Sequence, residues 1–199
     1  MIKTVTFFGF SESKPGDAEY DAAFQAAKLL AQNGYHIVNG GGPGVMLAAT
    51  EGAHAGGGKA TVVSFVPKDM THCEGRYAQN KADKEIIKPN YLERTLELLN
   101  LGEIYVVFNG GTGTISEFGM AWGLARLYFG HHRPLILFGS WWHEIMEAFA
   151  ENMRIRDLEL KVYRIVTTPE EVLQEIEKLN LGEGDTSDGG EATTSTPPR

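Results

Sequence analysis

The chain has 199 residues, enough for one domain with a sizeable core and too few for two of ordinary size. Hydrophobic residues make up 42% and charged residues 22%, and a net charge of −8 without a lysine or arginine run argues against a nucleic-acid partner. No apolar stretch approaches the ~18 residues of a membrane span, and Cys73, the one cysteine, fits a reducing, cytoplasmic compartment.

The first apolar run, 4–8, turns polar without a small-residue cleavage site and reads as a buried strand, not a signal peptide. Further short runs at 35–38, 60–65, 85–87, 104–108, 135–138 and 162–166 are hydrophobic almost throughout, as strands covered on both faces are. Helical spacing fills the gaps. Ala23, Ala27 and Leu30 share a face, 91–100 forms a helix that feeds the strand 104–108, and Ser140 is placed to cap a helix opening at Trp141. Thr168 and Glu171 form a capping box with Pro169 at the first helical position, and Val172, Ile176 and Leu179 line the inner face that follows. Strand–helix alternation predicts an α/β, Rossmann-like three-layer fold with a mostly parallel sheet. Residues 1–181 are expected to form a single nucleotide-binding domain. From 182 to 199 the chain is glycine, serine, threonine, proline and acidic residues, the composition of a disordered acidic tail.

The 24 glycines are well above the average share of about 7%, and many stand in two clusters. Asn39-Gly40-Gly41-Gly42-Pro43-Gly44-Val45-Met46 follows one strand, and Asn109-Gly110-Gly111-Thr112-Gly113-Thr114-Ile115-Ser116-Glu117 follows another; each opens a helix. Small residues there let backbone N–H groups face a phosphate at a helix N-terminus, and Thr112 and Thr114 add hydroxyls. Neither cluster matches the dinucleotide fingerprint or the Walker pattern. Simple tight turns are the plain alternative, but two such loops share the carboxyl edge of a parallel sheet, where open α/β folds bind ligands.

Glu117 is expected in the first turn of the helix after the second loop. Read alone, it fits either a glutamate that stabilises the helix start or a reactive carboxylate beside a bound phosphate. Arg94 begins the helix that feeds the strand 104–108, so topology puts it at the same sheet edge. It can hold a phosphate, a ribose or a neighbouring carboxylate, or it can pair with Glu93 or Glu97 on the surface.

The segment GGTGTISE resembles the GGxGTxxE signature of the cytokinin-activating phosphoribohydrolases, the LONELY GUY family, whose members were long labelled possible lysine decarboxylases. GGGPGVMLAATEGAHAGGG is similar to that family's first glycine-rich loop and helix. YLERTLELLNLGEIYVVFNGG resembles its arginine-bearing helix and next strand, and GFSES its first nucleotide-contacting turn. The resemblance covers roughly residues 5–140. It implies that Arg94 and Glu117 are a catalytic pair and that Gly111, Thr112, Gly113 and Thr114 hold a 5′-phosphate. Ser11, Gly41, Gly42, Gly44 and Gly110 complete the expected nucleotide-contacting set. The implied reaction is N-glycosidic hydrolysis of a nucleoside 5′-monophosphate such as AMP or a cytokinin ribotide, without metal or cofactor. Asn109 stands where the family usually has proline, and Thr95 where it usually has lysine, which leaves room for altered specificity. The GGGPGVM loop also looks like superfamily relatives that carry molybdenum cofactor, so a non-hydrolytic carrier or sensor of that cofactor or another phosphorylated ligand is the alternative.

Other residues invite weaker readings. His131 and His132 lie in an exposed turn without partners at metal-ligand spacing. Trp141, Trp142 and His143 are expected to pack against neighbouring elements, and Met46, Met120 and Trp122 to be core or subunit contacts. The stretch 119–129 is apolar beyond one helix face, which suits a homodimer. His72, Cys73, Glu74 and Arg76 read as a polar loop over the site, and a Cys–His nucleophile there lacks a third group. Lys59, Lys68, Lys81 and Lys84 show no feature of a Schiff-base lysine.

Overall fold

Strands β1 (Thr4–Phe8), β2 (His36–Asn39), β3 (Ala60–Phe65), β4 (Lys84–Lys88), β5 (Ile104–Val107), β6 (Leu135–Phe138) and β7 (Tyr163–Val166) form one sheet. Helices α1 (Ala18–Gln32), α2 (Val45–Ala55), α3 (Tyr91–Leu101), α4 (Thr112–Leu127), α5 (Trp141–Asn152) and α6 (Pro169–Asn180) alternate with them, and a short 3-10 turn occupies Asp157–Leu160. The computed structural model describes residues 1–68, 70 and 76–182. The expected tail therefore lies, beyond Gly182, outside the described residues, as do His72, Cys73 and Glu74.

The strand order is β4-β3-β2-β1-β5-β6-β7, and every neighbouring pair is parallel. The period-2 alternation of strand side chains then builds two cores. Val5, Phe7, Ile104 and Val106 face α1, α2 and α6, while Phe8, Tyr105 and Val107 face α3, α4 and α5. This three-layer α/β arrangement is the Rossmann-like fold that the sequence predicts. The edge strand β4 departs from the buried pattern, since Lys84, Glu85 and Ile87 are exposed; charge on an edge strand discourages unwanted pairing.

Local chemistry accounts for the element ends. Thr168 accepts the amide of Glu171 while the Glu171 carboxylate accepts those of Thr167 and Thr168, so the capping box is present and contributes about 1 kcal/mol. Ser140 corrects its expectation. Its backbone is already helical, at φ −64° and ψ −27°, and its side chain makes no cap bond. Among the described residues no helix is long and apolar enough to cross a membrane.

Strand order reverses between β1 and β5. At such a point the connections leave in opposite directions, and a crevice opens beyond the carboxyl ends of the strands.

Candidate functional site

A cavity of about 380 Å³ fills that crevice. Ser64 and Phe65 at the end of β3 supply one wall, and three loops supply others: Gly9 to Glu12 after β1, the first glycine loop after β2 and the second after β5. Phe10 ties them together. Its amide donates to Asn109 O at 2.9 Å, and its carbonyl accepts the Val45 amide at 2.9 Å. Asn109 also accepts the Gly110 amide on Oδ1 at 2.8 Å, a local bond at the start of the second loop.

The two glycine loops have different parts. At the start of α2 the Val45 amide is spent on Phe10, and the Gly41 amide on Asn39 Oδ1 at 2.9 Å. Asn80, fully buried, donates to Gly42 O at 2.9 Å and fixes the loop from below. At the start of α4, by contrast, Gly111 offers no side-chain cap. Gly111, Thr112, Gly113 and Thr114 line the cavity, so this helix N-terminus borders it, and a helix N-terminus attracts an anion.

Arg94 and Glu117 meet at the cavity wall. Arg94 stands in the first turn of α3, held by Asn90, whose side chain caps that helix by accepting the Glu93 amide at 2.9 Å. Its Nε donates to Val63 O of β3 at 3.2 Å, and its Nη1 donates to Glu117 Oε1 at 2.5 Å. The Tyr91 ring lies 5.7 Å from the guanidinium, and the Tyr91 hydroxyl meets Ser116 Oγ at 2.9 Å, which joins the start of α3 to α4. The surface alternative for Arg94 is overturned, because Glu97 pairs instead with Lys88 at 2.9 Å.

Only 6% of Glu117 and 7% of Arg94 is exposed. Burial pushes the Glu117 carboxyl above the usual carboxylate range, and the Arg94 charge and hydrogen bond pull it back part of the way. Glu117 is in the second turn of α4, not the first as expected. The helix begins at Thr112, inside the glycine run: Gly111 is still extended, at φ −87° and ψ −158°, and Gly113 is already helical. The Glu117 backbone therefore stands more than a full turn from the helix start, and its side chain leans back toward that end and reaches the cavity.

Of the other expected contact residues, Ser11 and Gly42 line the cavity, whereas Gly41, Gly44 and Gly110 stand behind its wall. Gly44 has φ +64°, and a β-carbon there would strike Phe10 O and lie 2.6 Å from the Ser11 carbonyl carbon. Its use is to let the first turn and the first loop touch. Met46 corrects its expectation: it lines the cavity, with its sulfur 3.6 Å from Arg94 Nη2. Gly40, Phe10 and Tyr91, which lie in the quoted motifs but are not among the expected contacts, also line it, as does Phe65, which no motif marks. Trp142 is buried in the α4–α5 core and Trp141 packs on it, as expected. Arg76 pairs with Glu85 at 3.0 Å and donates to Gly41 O at 3.3 Å, so it braces the first loop. His132 stacks on Phe129, and among the described residues no group of three His, Cys, Asp or Glu side chains gathers at metal-holding distance.

Known proteins share this frame. The chain is 29% identical over 137 residues to a cytokinin riboside 5′-monophosphate phosphoribohydrolase of Mycobacterium tuberculosis, across 67% of this chain and 70% of that protein. It is 31% identical over 102 residues to an uncharacterized protein of Archaeoglobus fulgidus, across 51% of this chain and 63% of that one, so the match spans less than two thirds of the archaeal protein. The molybdenum cofactor binding protein of Rippkaea orientalis superposes with a TM-score of 0.67 at 22% identity, across 90% of this chain and 98% of that chain. DNA processing protein A of Helicobacter pylori superposes with a TM-score of 0.57 at 17% identity, across 88% and 80%. At these identities the two superpositions establish the shared fold. The SLOG cluster4 family model matches residues 2–164, and the chain belongs to that family.

Proposed function

We propose that the chain hydrolyses the N-glycosidic bond of nucleoside 5′-monophosphates, with AMP and cytokinin ribotides as the candidate substrates, and releases free base and ribose 5-phosphate. The observation that carries this reading is the buried Arg94–Glu117 pair beside the uncapped start of α4. The start of α4 and Glu117 line one cavity, where a phosphate and the sugar that carries it can lie side by side. A carboxylate is costly beside a phosphate if binding alone is needed, and it is useful where positive charge develops on the sugar.

In this scheme the 5′-phosphate sits on the amides of Gly111 to Thr114. The C1′–N bond breaks with its electron pair leaving on the base nitrogen. Water adds its oxygen to C1′, and its proton ends on the base. Glu117, ionised, stabilises the oxocarbenium-like ribose and orients the water. Arg94 keeps the carboxylate ionised and in place, and it aligns the nucleotide. The similarity to the mycobacterial phosphoribohydrolase supports the same activity.

The second reading is a carrier or sensor of molybdenum cofactor or a related phosphorylated ligand. It is favoured by the likeness in fold to the Rippkaea orientalis protein over nearly the whole of both chains. Incubation with AMP, GMP, CMP and cytokinin ribotides, followed by chromatography for free base, separates the two. Base from at least one nucleotide supports the hydrolase; none from any, with retention of molybdenum cofactor, supports the carrier. DNA is a poorer candidate because the net charge is −8.

Residues 1–181 are proposed as one nucleotide-binding unit in a reducing compartment, the cytoplasm. Its assembly is proposed as a homodimer. Leu92 and Leu96 of α3 and Leu124 and Leu127 of α4 are exposed, apolar side chains of the kind that a second copy would cover.

A further inference from the structure

The guanidinium of Arg94 rests on a surface that has no side chain. A β-carbon built on Gly40 would overlap Arg94 Nη2 and lie 2.6 Å from Arg94 Cζ and 2.8 Å from Met46 Sδ. The first of these is far closer than non-bonded atoms approach. The guanidinium is held on its other sides by Val63 O, Glu117 Oε1, the Met46 sulfur and the Tyr91 ring. Gly40 is thus the wall of this seat where the absence of a side chain makes the room.

We propose that Gly40 is a positioning residue, the seat that sets the Arg94–Glu117 pair, and this rests on the phosphoribohydrolase reading for its effect on turnover. The argument depends on why the position is glycine. Gly41 and Gly44 have left-handed backbone, at φ +73° and +64°, where any side chain is strained. Gly40 does not share that conformation. Its backbone accepts alanine, so the demand for glycine comes from the space that Arg94 occupies. The atom in the way is also the far end of a long side chain, which can leave. Gly44 differs, because there the obstruction is main chain of the Phe10–Ser11 turn.

Alanine at position 40 therefore evicts the guanidinium and leaves the fold. Three things follow. The donor to Glu117 Oε1 is lost, so burial acts on Glu117 unopposed and its carboxyl titrates at higher pH. The nucleotide is misaligned, so kcat falls on the order of 100-fold, the size of effect that an ångström of misplacement produces. KM changes less, because the amides of Gly111 to Thr114 are untouched.

The test is a double-mutant cycle of Gly40→Ala and Arg94→Ala, read by turnover and by NMR titration of the carbon-13-labelled Glu117 carboxyl. The expected result is that Gly40→Ala melts as the parent does, raises the Glu117 titration, lowers kcat, and adds nothing further in the Arg94→Ala background. Parental titration in Gly40→Ala, an equal added effect of Gly40→Ala once Arg94 is gone, or failure of Gly40→Ala to fold would each overturn the proposal. The titration needs no substrate. If the parent protein releases no base, the phosphoribohydrolase reading fails while the seat is still decided.

Discussion

Arg94 Nη1 donates to Glu117 Oε1 across 2.5 Å although 23 positions separate the two residues in the chain, and both side chains are buried. The parallel topology makes this meeting. Helix α3 feeds β5 and α4 leaves it, so both helices begin at the carboxyl edge of the sheet. Removal of the carboxylate charge at constant shape tests its role. Glu117→Gln is expected to lower base release from AMP by ~100-fold or more, while calorimetry still detects AMP binding. Parental turnover in that variant would remove Glu117 from the chemistry.

The pH dependence has a definite sign. Glu117 works as a carboxylate, and its pKa is raised by burial against the opposing pull of Arg94. Activity should therefore rise with pH through a limb that lies above the ordinary carboxylate range. Arg94→Met leaves burial unopposed and moves the limb to still higher pH, which a kcat/KM profile would record. A limb at the same pH in both proteins would mean that another group controls it. The same raised pKa means that the folded state holds the Glu117 proton more firmly than the unfolded state. Its contribution to stability is full at low pH and declines as pH rises through the folded-state value.

Much of this is legible in the sequence, for physical reasons. The strand runs are visible because both faces of a parallel sheet are covered, and Arg94 and Glu117 can be placed at one edge from topology alone. The misplacements have causes too. Glu117 lies one turn deeper than expected because Gly111-Thr112-Gly113-Thr114 has the composition of a loop, whereas the helix starts at Thr112. Ser140 has the composition of a cap but already takes helical backbone. The roles of Gly40 and Met46 depend on contact with Arg94, roughly fifty residues away. No local pattern encodes such a contact, since it exists only when β2, β3 and α3 have packed.

Glycines in this chain should answer alanine in opposite ways. At Gly44 the positive φ and the overlap with Phe10 O leave a β-carbon nowhere to go, so Gly44→Ala should destabilise by more than about 1 kcal/mol. Gly119 lies inside α4, where an added β-carbon would meet nothing within 4 Å, and Gly119→Ala should stabilise by roughly 0.5–1 kcal/mol. Denaturant melts of the two variants check both signs. Equal midpoints would contradict the steric account.

The exposed leucines of α3 and α4 give the assembly prediction. Leu92 is 71% exposed and Leu127 is 66% exposed, and charge placed there should disfavour burial against another copy. Light scattering is expected to give a dimer for the parent and a monomer for the double variant Leu96→Glu, Leu127→Glu, with the circular dichroism spectrum retained. A monomeric parent would remove the homodimer.

The most direct test of the account is a crystal structure of the Glu117→Gln variant with AMP. The account predicts the 5′-phosphate on the amides of Gly111, Thr112, Gly113 and Thr114, with the anomeric carbon against residue 117 and the Arg94 guanidinium beside it. AMP bound with its ribose away from residue 117, or its phosphate outside the start of α4, would contradict it.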